Sequence, residues 1–81
     1  MDKAEILSGV TEVIRDVLDI PDLVVDMDTT AEQTEGWDSV NHISIVVGCE
    51  VKFKVKFKTA EIESLRHVGD LVELIDSKLN K

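Results

Sequence analysis

The chain has 81 residues, a formal net charge of −8, one cysteine and one tryptophan. That length allows a single domain over 1–81, and Cys49 alone excludes an internal disulfide or a cysteine-rich metal site and fits a reducing compartment. The negative balance argues against nucleic acid and anionic membranes as partners. Residues 1–38 hold eleven Asp and Glu against Lys3 and Arg15, whereas residues 39–81 hold six acids against seven Lys and Arg. One end of the molecule should therefore attract basic surfaces. The N-terminal MDKAEILSGV is acidic and lacks a long apolar run, so no signal peptide is expected there. No apolar run approaches the roughly 20 residues that span a bilayer.

In chain order, residues 3–18 come first. Ile6, Leu7, Val10, Val13, Ile14, Val17 and Leu18 recur at helical spacing, and Pro21 suits a helix stop. Residues 19–38 show neither helical nor alternating periodicity. A connection that long in a small domain is usually functional. Leu23, Val25 and Met27 are expected to pin it to the core.

Ser39 is a good N-cap candidate, and Ile43, Val46, Val47 and Glu50 follow at helical spacing. The same segment is rich in β-branched residues and contains Gly48, which costs a helix about 1 kcal/mol relative to alanine. VKFKVKFK, residues 51–58, alternates strictly and by pattern alone reads as an edge strand guarded by lysines. Thr59 can cap a short helical turn through Leu65. Val68, Leu71, Val72, Ile75 and Leu79 make a last amphipathic helix, with Asp70 and Lys78 placed to suit its dipole.

The hexapeptide EGWDSV, residues 35–40, carries the chemistry. Asp38, Ser39 and His42 could form a catalytic group, since serine and histidine three apart on a helix can touch. A hydrolase serine, however, sits in a glycine-flanked elbow with an oxyanion hole, and none is visible. The remaining readings are a helix cap or an attachment point.

A helix, a long acidic loop, Gly36-Trp37-Asp38-Ser39-Val40 at a helix start, a short helix and the closing VGDLVELI (68–75) together resemble an acyl carrier protein. The resemblance covers nearly the whole chain. From Gly36 to Leu71 it aligns with the bacterial fatty-acid type without a gap. It implies an all-α fold: a small up-and-down bundle of three long helices plus one short helix, with a long loop between the first two. The second helix then ends near Phe53, and a loop drops Val55 and Phe57 into the core.

The resemblance also implies a carrier rather than an enzyme. A phosphopantetheinyl transferase would move 4′-phosphopantetheine from coenzyme A onto Ser39, and the arm's thiol would hold an acyl group as a thioester. Partners would be acyl-transferring, condensing or acyl-activating enzymes, met by a cytoplasmic monomer through Asp38, Val40, Val47, Glu50, Ile62 and Glu63, with no metal ligands. The other readings are an aminoacyl or peptidyl carrier and an acidic interaction module that never carries the arm.

Several residues depart from the family pattern. Val40 replaces the usual leucine or methionine, Glu35 a leucine, and Trp37 a small residue. Family members line the second helix with acids that meet basic patches on partner enzymes. Ser44 and Val51 stand at two such places, and Lys52, Lys54, Lys56 and Lys58 reverse the local sign. His67 replaces a capping threonine. These changes point to a specialised acyl pathway. Cys49 and Gly48 read as core packing and as close helix packing.

Overall fold

The computed structural model describes residues 2–79. Four helices form in chain order: α1 (Lys3–Leu18), α2 (Ser39–Phe53), α3 (Thr59–Glu63) and α4 (Val68–Leu79). The expected all-α bundle of three long helices and one short one is what these residues build, with the long connection between α1 and α2.

Asp2 starts α1 by accepting the Glu5 N–H at 2.9 Å. The helix ends at Asp19 in the left-handed conformation, whose N–H bonds the Arg15 carbonyl. Its apolar stripe buries Ile6, Val10 and Ile14 completely. α1 packs on both α2 and α4. Two close approaches fix the α1–α2 contact. A Cβ on Gly9 would lie 2.6 Å from the Phe53 ring, and one on Gly48 would lie 2.7 Å from Val13. Moving forward along α1 from 9 to 13 thus means moving backward along α2 from 53 to 48, so the two helices run antiparallel.

The VKFKVKFK segment is divided between a helix end and a loop. α2 continues to Phe53, which is buried, and stops at Lys54 with φ 56°. Val55 and Phe57 then pack against the core while Lys54, Lys56 and Lys58 stay exposed. The alternation is real in the sequence, but Val51 is exposed on α2, Phe53 is buried at the helix end, and Val55 and Phe57 are turned to the core by the loop that follows. Burial of Ile45, Val46, Cys49 and Phe53 outweighs the poor helix propensity of this stretch. Cys49 is fully buried, and burial pushes its thiol up to about 12.

Two capping expectations need correction. The α2 cap is Asp38, not Ser39: the Asp38 Oδ1 accepts the Asn41 N–H at 2.8 Å. Likewise α3 begins after Lys58, not Thr59, because the Glu61 carboxylate reaches back to the Lys58 N–H at 2.8 Å. In both places the carboxylate is the stronger acceptor and moves the boundary by one residue.

The 19–38 connection is anchored at several points. Leu23, Val25 and Met27 pack against the core as expected. Arg15 Nε donates to the Leu23 carbonyl at 2.7 Å. Further along, the carbonyls of Thr29 and Met27 accept the N–H groups of Val68 and Gly69, each at 2.8 Å, and Thr30 bridges to His67. The loop backbone therefore caps α4, where His67 was the expected capping position. Asp70 completes this junction by accepting the Arg66 and His67 N–H groups at 3.0 and 3.1 Å.

Candidate functional site

The approach to α2 is built from short-range hydrogen bonds. Thr34 is buried and donates its hydroxyl to the Thr30 carbonyl at 2.8 Å. Trp37 N–H reaches the Thr34 carbonyl at 3.2 Å, and Asp38 N–H reaches Gly36 at 3.1 Å. Gly36 has φ 86°, a region closed to most side chains, and no neighbour crowds its Cα. It is required here by backbone conformation and not by space. The Asn41 amide then donates to the Gly36 carbonyl at 2.6 Å, tying the turn to the first helical turn.

This geometry leaves Ser39 as the first residue of α2, exposed to solvent. Asp38 satisfies the next N–H groups, Asn41 through its carboxylate and His42 through its carbonyl at 2.8 Å. The Ser39 and Val40 N–H groups have no acceptor among the described residues. A hydroxyl beside two open N–H groups at the positive end of a helix is suited to carry a negatively charged phosphodiester. The residues present therefore fit a phosphate-linked arm.

The catalytic reading of Ser39 and His42 is not supported. His42 Nδ1 accepts the Trp37 indole N–H at 3.2 Å, and the two rings stack with centroids 6.1 Å apart. No Ser39–His42 hydrogen bond occurs among the described residues. Among the described residues there is also no cluster of three or more His, Cys, Asp or Glu placed to hold a metal, and no helix is long and apolar enough to cross a membrane.

Beside Ser39 runs a groove between the start of α2 and the α3 region. Trp37, Asp38, Ile43, Ile62, Glu63 and Leu65 line it. Beneath it a smaller, more enclosed pocket continues past Trp37 and His42 toward Val68 and Leu71. The structure thus gathers Asp38, Ile62 and Glu63 around Ser39. Val40 and Val47 lie instead on the outer face of α2, 72% and 49% exposed. Glu50 is half-buried, and its Oε2 accepts the Phe57 N–H at 2.8 Å, so its carboxylate braces the loop after α2.

Sequence reasoning missed two contributors to the site. Asn41 was not singled out, and its side-chain bond to the Gly36 carbonyl matches no helix-start signature in the residues. The Trp37–His42 pair spans a loop–helix boundary and follows no periodicity.

Comparison with known proteins gives a consistent result. The family profile described as the phosphopantetheine attachment site matches residues 8–75. An acyl carrier protein of Acidothermus cellulolyticus is 35% identical over 75 residues, covering 93% of this chain and 89% of that protein. One from Renibacterium salmoninarum is 33% identical over 73 residues, 90% of each chain. The solution structure of a holo acyl carrier protein from Geobacter metallireducens superposes with a TM-score of 0.84 at 38% identity, covering 91% of this chain and 85% of that one. With its fold, its exposed helix-start serine and these matches, the chain belongs to the phosphopantetheine-attachment family of acyl carrier proteins, which carry acyl groups and are not themselves enzymes.

Proposed function

We propose that Ser39 is the attachment point and that the chain carries acyl groups for a specialised acyl pathway in the cytoplasm. The observation that supports this most is the exposed Ser39 hydroxyl at the first position of α2 beside the open N–H groups of Ser39 and Val40. Bound there, 4′-phosphopantetheine would supply a terminal thiol that holds an acyl group as a thioester. The chain's own residues do the rest. Gly36 and Asn41 fix the turn that presents the hydroxyl. Asp38 caps α2 through one carboxylate oxygen, and the exposed residue offers a phosphopantetheinyl transferase a negative group beside the serine. Ile62 and Glu63 border the groove next to Ser39 and are the residues an approaching acyl-handling enzyme would meet there.

The departure from generic fatty-acid synthesis rests on Ser44 and Val51, which leave the outer face of α2 without acids, and on Glu50, whose carboxylate is engaged by Phe57. Intact mass of the protein purified from its native host tests the reading. The expected mass exceeds that of the chain by one phosphopantetheine, with any further increment identifying the cargo. A population holding only the unmodified chain would count against a carrier role and favour an interaction module.

A further inference from the structure

Two cavities meet beside Ser39. The outer groove, of about 420 Å³, lies within the size range of small-molecule sites. The inner pocket leads on to the buried Val68 and Leu71, but its free volume is about 20 Å³, room for one water. Ala31, Trp37, His42 and Leu65 line both cavities and so form the collar between them.

The collar is held shut by hydrogen bonds. The Trp37 indole N–H donates to His42 Nδ1 at 3.2 Å, and the two rings stack with centroids 6.1 Å apart. Both side chains are half-buried, which shields the bond from water and strengthens it. The Ala31 carbonyl accepts the Thr34 N–H at 3.2 Å, and the Thr34 hydroxyl donates to the Thr30 carbonyl at 2.8 Å, so the loop side of the collar is fixed as well. The far wall of the inner pocket is tied down by the Val68 N–H on the Thr29 carbonyl at 2.8 Å and by the bridge between Thr30 and His67. Enlarging the inner pocket means parting Trp37 from His42 or lifting the loop off α4. Leaving such groups unpaired inside the protein costs more than burying one methylene returns.

We propose that the Trp37–His42 pair selects cargo by length: an acyl group tethered through Ser39 settles in the outer groove against Ile43, Ile62 and Leu65 and is barred from the bundle interior, so the chain shelters short acyl groups and leaves the rest of a long one in water; this rests on the carrier reading above. Trp37 and His42 are then specificity-determining residues, and removing either joins the two cavities into one longer apolar slot that ends at Val68 and Leu71.

A chain-length series tests it. A broad-specificity phosphopantetheinyl transferase is supplied with acetyl, butyryl, hexanoyl, octanoyl or decanoyl coenzyme A, so that the arm arrives with its acyl group. The Tm of each product is recorded for the native chain, for His42→Ala and for Trp37→Leu. The native Tm should rise from acetyl to butyryl or hexanoyl, by roughly 3–6 °C for each methylene fully buried, and then stay level. In the variants the rise should continue to octanoyl and beyond, and either variant suffices if the other fails to fold. A native Tm that climbs through decanoyl, variants that level off where the native chain does, or no rise in any form would overturn the proposal. The same series is run on Ser39→Cys, alone and combined with each variant, coupled to alkyl methanethiosulfonates of increasing length. A single mass increment confirms that the buried Cys49 is untouched. This route needs no transferase, so failure of enzymatic loading would count against the attachment reading while the tethered series still decides the collar.

Discussion

The Trp37 indole N–H donates to His42 Nδ1 across 3.2 Å, joining the last turn of the long loop to the first turn of α2 over the residue between them that bears the exposed hydroxyl. Because an indole can only donate, His42 Nδ1 is the accepting atom of this contact. The pair walls both the groove beside Ser39 and the pocket beneath it.

His42→Ala should therefore free the Trp37 ring without unfolding the bundle. Trp37 is the only tryptophan, so its fluorescence reports on this site alone. The variant should show a red-shifted emission and stronger quenching by acrylamide, with unchanged far-ultraviolet circular dichroism. An emission spectrum identical to that of the native chain would contradict the contact.

Lys54 closes α2 in the left-handed conformation with φ 56°, a region that costs an ordinary side chain roughly 1–2 kcal/mol and glycine almost nothing. Lys54→Gly should stabilise the fold by about 0.5–1 kcal/mol after the entropy of the unfolded glycine is subtracted. Urea unfolding at equal protein concentration measures this. A loss of stability would mean that the Lys54 side chain makes a contribution larger than its strain.

Asp70 supports the junction between the α3 region and α4. The Arg66 N–H, then the His67 N–H, hold its carboxyl below the usual carboxylate range. Its depressed value means that this contribution is fully present above the unfolded pKa, about 4, and is lost as pH falls through the folded value. Asp70→Asn should lower stability at neutral pH, and the gap from the native chain should narrow in acid. Thermal unfolding across that range reads it. A gap that is constant with pH would remove the carboxylate from the account.

How much of this was legible from the residues varies by element. The stripe from Ile6 to Leu18 defines α1 because one period fits one buried face. α2 was harder. Its β-branched residues and Gly48 oppose a helix, and the alternation of 51–58 imitates a strand. Only the family resemblance carried the helix to Phe53. The physical reason is that period two arises wherever alternate side chains enter a core, in a loop as in a sheet. The long connection was read as functional, and its hydrophobic anchors were read correctly. Its carbonyls capping α4 could not be read, since backbone acceptors leave no mark on composition. At the site, Ser39 was legible from its neighbours. Its exact helical position was not, because Asp38 and Ser39 are both good caps and the distinction depends on which oxygen meets the Asn41 N–H.

The central claim is that Ser39 alone accepts the arm. The chain and its Ser39→Ala variant are each incubated with coenzyme A, magnesium and a broad-specificity phosphopantetheinyl transferase, and their intact masses are recorded. The native chain should gain the mass of one phosphopantetheine and the variant none. No gain in the native chain across several transferases, or a gain in the variant, would contradict the account.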